Sequence, residues 1–265
     1  MEERPNIGWS FLSMSVIDKY AHIAVVIPAY KNRMSDYERI SFERCVGILH
    51  PYPRILIVPH ALSVDAYVEL DPSILIVRCD ECHFHSLTSY SRFCTSSKFY
   101  SLFSKYEYIL IYQLDSYVFR DALLEWCGNA YDYIGAPWLN YEFQISSRKR
   151  WTQSRLLRPF LRQVGNGGFS LRRVKTFRHA AFWLWPLSVL LRDIPEDVFW
   201  THIGARLWPG FQIPGVDKAL QFAWDMAPGQ CFMRNHGELP FGAHAWNTHG
   251  LEFWKDKIVE LAGKS

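Results

Sequence analysis

One carboxylate, Asp115, follows an apolar run of β-branched and aromatic residues, Tyr108–Tyr112, within the stretch YEYILIYQLDSYVF (Tyr106–Phe119). Such a run suits a strand buried on both faces, although a buried helix can also produce one. A carboxylate just past the C-terminal end of a central parallel strand stands where open α/β sheets bind ligands. As a hard oxygen ligand it suits Mg2+ or Mn2+, which would neutralise a leaving diphosphate. The alternative is that Asp115 caps the helix after it.

Four further groups could carry chemistry. Glu196 and Asp197 are adjacent acids at a helix start. There they are either ordinary partners of the helix dipole or the source of a general base for an acceptor hydroxyl. Gly165-Asn166-Gly167-Gly168 lacks the P-loop Lys-Ser/Thr and the G-x-G-x-x-G spacing. It reads as a tight turn or as a place where backbone approaches a sugar closely. His244, between Gly242 and Trp246, is an imidazole that could complete a metal shell short of a carboxylate, with His236 and His249 as competitors. Cys79, Cys82, His83 and His85 offer four soft ligands in seven residues, but the second cluster that structural zinc sites draw on is missing. They read as a connector with reduced thiols. There is no G-x-S-x-G elbow, and no glycine fingerprint follows the first strand, which disfavours serine hydrolases and dinucleotide oxidoreductases.

Alternating elements must position these groups. His22–Ile27, Arg54–Val58, Ile74–Val77 and Tyr108–Tyr112 read as strands. Between them lie helices from Asp36 (as cap) to about Leu49, from Ser63 to Leu70 and from Ser89 to Lys105. That alternation predicts an α/β fold with a mostly parallel sheet and right-handed crossovers. Beyond Asp115 the pattern predicts a helix near Arg120–Cys127 and a strand over Tyr131–Ala136. Leu139–Gln163 reads as a long loop with six Arg and Lys between Arg148 and Arg162. A strand follows the glycines, then a helical apolar stretch to about Leu191. A strand over Phe211–Pro214 and helices over Asp217–Phe222 and Glu252–Leu261 complete the chain.

The 265 residues are 49% hydrophobic and include 18 Phe, 14 Tyr and 11 Trp. That is enough for one large core and excludes a disordered chain. No window reaches the roughly 18 apolar residues of a membrane span. Glu2 and Glu3 do not make a signal peptide, and the six cysteines lack a disulfide pattern, so the expectation is a cytoplasmic protein. The net charge is +3, but Phe143–Arg192 holds eleven Lys and Arg and no acid, leaving −8 for the rest. Such a block steers anions: a nucleotide diphosphate, an anionic acceptor or a membrane surface. No nucleic-acid-binding motif accompanies it.

Taken in order, VVIPAYKN (Val25–Asn32), YILIYQLDSYVF (Tyr108–Phe119), DYIGAPW (Asp132–Trp138), VGNGGFSLR (Val164–Arg172), EDVFW (Glu196–Trp200) and PFGAHAW (Pro240–Trp246) resemble a family of bacterial GT-A-type glycosyltransferases long catalogued as a domain of unknown function. The resemblance covers Ile23 to Trp246. It implies a single GT-A-type domain, with a nucleotide-sugar-binding half over about 20–119 and an acceptor half over about 120–265. Pro28, Ala29, Tyr30 and Lys31 match the loop that holds the nucleotide. Asp115 matches the first Asp of the D-x-D metal motif, with Ser116 next and Tyr117 where the second Asp would stand. His244 matches a C-terminal metal-binding His. Gly167 and Gly168, with Asn166, match the glycine turn beside the donor sugar. Glu196-Asp197 matches the acidic pair whose Asp is the base in inverting members. The resemblance therefore implies metal-assisted direct displacement, with Mn2+ or Mg2+ as cofactor. A nucleotide-diphosphate sugar would be donor and a glycan or lipid-linked hydroxyl acceptor, as in cell-surface polysaccharide synthesis. Peripheral contact with the inner face of a membrane would run through the basic 148–162 segment. A nucleotidyltransferase and a non-catalytic carbohydrate-binding protein remain the alternatives.

Overall fold

The computed structural model describes residues 16–139 and 163–262; the basic 148–162 segment lies outside them. Nine strands in the described residues form two sheets. The larger has the order β3-β2-β1-β4-β7-β6: β1 is Ile23–Pro28, β2 Arg54–Pro59, β3 Leu75–Cys79, β4 Tyr108–Tyr112, β6 Tyr133–Gly135 and β7 Phe169–Arg173. Strands β3, β2, β1 and β4 are mutually parallel, and β7 enters antiparallel between β4 and β6. The smaller sheet joins β5 (Tyr117–Val118), β9 (Gly242–Ala243) and β8 (Ala223–Trp224), in that order.

The near-continuous apolar runs of β1, β2 and β4 follow from burial on both sides. Successive side chains point to opposite faces of a strand. Val25, Ile27, Leu56, Val58, Leu110 and Tyr112 enter one core layer; Val26, Ile55, Ile57, Ile109 and Ile111 enter the other. A third, aromatic cluster packs Tyr117, Phe119, Trp224, Trp246 and Trp254 around the small sheet. The expected α/β class, with a mostly parallel sheet flanked by helices, is therefore the architecture observed.

Several local expectations are corrected. Ser35, not Asp36, caps the helix Asp36–Ile48, in a reciprocal box with Glu38. The helix expected over Ser89–Lys105 is two, Leu87–Cys94 and Ser97–Ser101, because Ser96 starts a new one by accepting the Phe99 N–H. Phe211–Pro214 is not a strand; its Gln212 carbonyl accepts the N–H groups of Asp132 and Tyr133 at the edge of β6. Asp115 does not cap a helix. The chain turns through a Ser116 N–H bond to the Gln113 carbonyl and enters β5, and the next helix begins at Leu123.

Candidate functional site

The small sheet arranges the site. Asp115 lies two residues before Tyr117 of β5, His244 directly follows Ala243 of β9, and Asp225 directly follows Trp224 of β8. Tyr117 and Trp224 both register with Ala243. Three distant segments are thus brought together at the C-terminal end of β4.

At that junction His244 Nε2 lies 3.3 Å from Asp115 Oδ1 and 3.1 Å from Gln113 Oε1. Its Nδ1 faces Asp225 Oδ1 at 3.5 Å. Asp225 is buried; it accepts from Asn166 Nδ2 at 2.9 Å and contacts His249 Nδ1 at 3.0 Å. Burial alone would push His244 down, but Asp115 and Asp225 on its two sides raise it to about 10. Burial likewise works to raise Asp115 and Asp225, and the neighbouring histidines overcome it, holding both carboxyls below their ordinary range. The site thus sets one imidazole between two carboxylates, an arrangement that favours the imidazolium.

The glycines fit this arrangement closely. A Cβ on Gly168 would come within 2.0 Å of His244 Nε2, and one on Gly167 within 2.1 Å of Glu196 Oε1. Two consecutive glycines therefore separate the His244 cluster from the acidic pair, and only a residue without Cβ fits either place. Gly165 has φ 143° and also lacks room for a side chain against Thr201. Asn166 works as a clamp: its Oδ1 accepts the Gly168 N–H at 3.0 Å while its amide holds Asp225. Ser116 is fully buried, and its hydroxyl is given to the Gly168 carbonyl at 3.2 Å.

The acidic pair divides in direction. Glu196 is buried and bound to the buried Arg172 at 2.8 Å; Arg172 also reaches Tyr100, Ser170 and the Gly167 carbonyl. Asp197 is partly exposed, with Oδ1 accepting the Val198 N–H. The helix Glu196–Phe199 then widens into a π-helical turn, Trp200–Gly204.

At the end of β1, Ala29 is buried and Tyr30 is 60% exposed. Lys31 pairs with Glu38 at 2.9 Å, and the Tyr67 hydroxyl donates to the Lys31 carbonyl. Strands β1 and β4 are neighbours with Val26 opposite Ile111, so Pro28 to Lys31 leave the sheet beside Gln113–Asp115.

Tyr117 is buried between Phe119 and Trp246, away from any ligand role. The oxygen that shares His244 with Asp115 belongs instead to Gln113, two residues upstream. Gln113 and Asp225 were missed in the sequence. Asp225 carried only a weak signal, a carboxylate after the short apolar run Phe222–Trp224, and its place in the site comes from the pairing of β8 with β9. Of the competing histidines, His249 joins through Asp225, while His236 is exposed in a left-handed turn with φ 56°. The Cys79–His85 segment follows β3, the far edge of the sheet, and His83 stacks on Phe93 at 3.9 Å.

This fold is shared with sugar-transferring enzymes of known structure. Mouse xyloside xylosyltransferase 1, in its apo form, aligns over 84% of this chain and 97% of its own, with TM-score 0.52 and 13% identity. An active-site mutant of LgtC aligns over 91% and 95%, with TM-score 0.54 and 14% identity. Core-mannan synthase A of Aspergillus fumigatus, in a Mn/GDP form, aligns over 76% and 72%, with TM-score 0.51 and 11% identity. At such identities the likeness is one of fold. The profile of a family described as a protein of unknown function (DUF5672) matches residues 73–244, and the chain belongs to that family. No curated protein matches it.

Proposed function

We propose that the protein is a glycosyltransferase that moves a sugar from a nucleotide-diphosphate donor to a hydroxyl of a glycan or lipid-linked acceptor. The observation that carries this reading is the convergence of Gln113, Asp115, Gly168 and His244 at the end of β4, with the acidic pair one glycine away. The neighbours support it: LgtC, a galactosyltransferase, was solved with donor and acceptor sugar analogues, and core-mannan synthase A with Mn and GDP.

The donor set fits a divalent cation. Asp115 Oδ1 and Gln113 Oε1 both meet His244 Nε2, and Asp225 backs the histidine as a carboxylate commonly does behind a metal-binding imidazole. Among the described residues no group of three His, Cys, Asp or Glu side chains is arranged to hold a metal by itself. Asp115 and His244 would hold Mn2+ or Mg2+ with oxygens of the diphosphate completing the shell. When bound, the cation supplies charge neutralisation for the leaving diphosphate. Tyr30 would flank the nucleotide at the end of β1, with Lys31 fixed by Glu38. Gly167 and Gly168 would let the sugar lie against the backbone. Asp197 would accept the proton of the acceptor hydroxyl while that oxygen attacks the anomeric carbon. Arg172 and Glu196 lock the glycine turn and the Asp197 backbone from beneath.

The test combines calorimetry with product analysis. A panel of UDP-, GDP-, dTDP- and CMP-sugars with Mn2+ should yield one binder, and Asp197→Asn should bind that donor normally while losing transfer by about 100-fold or more. Inversion at the anomeric carbon is expected in the product. Retention, or normal transfer by Asp197→Asn, would remove Asp197 as base. Absence of nucleotide binding would favour a non-catalytic carbohydrate-binding protein, and pyrophosphate release from a nucleoside triphosphate and a sugar phosphate would favour a nucleotidyltransferase.

A further inference from the structure

Five large apolar side chains stand in solvent within nine residues: Phe182 (64% exposed), Trp183 (70%), Trp185 (60%), Val189 (51%) and Leu190 (77%). They belong to the helices Val174–Trp183 and Trp185–Leu190, which meet at Leu184. The opposite side of this pair is well anchored. Val174, Phe177, Ala180 and Ala181 are buried, and Leu184 and Leu187 pack on the same core layer. The exposed rings are therefore held outward on a rigid base, Phe182 and Trp183 edge to face at 5.6 Å.

Along the chain, the charges of this knuckle have one sign. Lys175, His179 and Arg192 are exposed beside it, Arg178 is partly exposed, and no acid occurs from Phe143 to Arg192. The first acid beyond, Asp193, lies 3.7 Å from Arg92. We propose that the knuckle docks on an anionic lipid surface, with its tryptophans in the interface and its Lys and Arg on the headgroups. Trp favours the membrane–water boundary, and basic residues near an anionic leaflet each add to binding. No helix in the described residues is long and apolar enough to span a bilayer, so the segment would lie on the surface. A protein partner of the same chemistry would need a complementary acidic rim, which the bilayer supplies as a continuous plane. Joined to the sugar-transfer reading, on which this clause alone rests, the place of Asp197 seven residues after Leu190 in the chain favours a lipid-linked acceptor over a soluble glycan.

The test is co-sedimentation of the full chain with phosphatidylcholine vesicles, with and without phosphatidylglycerol. Binding to the mixed vesicles is expected, weaker by about tenfold or more on phosphatidylcholine alone and reduced by salt. The triple variant Trp183→Ser, Trp185→Ser, Leu190→Ser should keep its unfolding midpoint and lose the binding; Lys175→Glu with Arg192→Glu should weaken it on anionic vesicles only. The proposal is overturned by no binding to either vesicle, by equal binding to both, or by a triple variant that still binds. Sedimentation showing a wild-type dimer that the triple variant dissolves would overturn it too, since a second copy would then cover the patch. Donor binding, read separately by calorimetry, tells failure of this surface from failure of the sugar-transfer reading.

Discussion

His244 sits between two carboxylates, and that decides how the site responds to pH. Its folded pKa of about 10 lies above the ordinary 6.5. The proton therefore adds stability that is complete below about pH 6.5 and fades as pH rises toward 10. A cation held by Nε2 must displace that proton. Mn2+ should thus bind more tightly as pH rises, with proton release visible as a dependence of the calorimetric heat on the buffer's ionisation enthalpy. A pH-independent Mn2+ affinity would remove His244 from the shell. The neighbouring acids separate in the same way. Glu196→Gln breaks a buried pair with Arg172, for which a stability loss of about 3–5 kcal/mol is expected, measured by urea unfolding. The catalytic loss should fall on Asp197→Asn, whose side chain is partly exposed. The sequence shows two acids at a helix start and cannot say which faces inward. That is decided by a guanidinium twenty-four positions earlier in the chain, delivered by β7.

At the level of elements, the glycine turn is the part that tolerates least. Gly168→Ala would drive a methyl group to 2.0 Å from His244 Nε2. The imidazole must then leave Asp115 and Gln113. The expected result is loss of Mn2+ and nucleotide binding with a stability change of only about 1–3 kcal/mol, in the range of small overpacking, seen by calorimetry beside thermal unfolding. Normal nucleotide affinity in this variant would disconnect the turn from the site. Strands β1, β2 and β4 were legible because two-sided burial leaves an unbroken apolar run, and their parallel sense followed from the helices between them; their order in the sheet did not. The small sheet was not legible. Its strands are two residues long, too short for any period, and they exist because chain segments far apart meet. Asp225 was missed for the same reason: its role comes from the β8–β9 pairing, not from its own neighbourhood. The break at Ser96 was also hidden, since a capping serine inside a helical pattern looks like one more polar position.

For the whole molecule, charge is distributed in a way that composition only half reveals. Of the eleven Lys and Arg between Phe143 and Arg192, Arg172 is spent in the core and Arg173 leans toward Asp132 at 3.6 Å. The steering field therefore rests on the others. Far from the site, Arg54 and Asp71 form a second buried pair that ties β2 to the loop before β3. Burial tends to raise Asp71, but Arg54 and Ser73 bind its carboxylate and hold it below the ordinary 3.8. This pair contributes stability above about pH 3.8 that is lost as pH falls through the lower folded value. The unfolding midpoint of wild type should exceed that of Asp71→Asn at neutral pH, and the gap should close as pH falls through the lowered folded value. A gap that persists in acid would mean that the pair does not hold the carboxylate ionised.

The three-strand sheet at the site carries one more consequence, in the order of assembly. The chain of β1 to β4 precedes residue 113, yet Asp115 meets His244 only when β9 arrives from beyond residue 240 to pair with β5 and β8. A chain emerging from the ribosome would thus have its four parallel strands in hand before Asp115 has its His244 partner. The site is thus completed last, and, on the proposed reading, donor binding would report that the β5–β9–β8 sheet has closed.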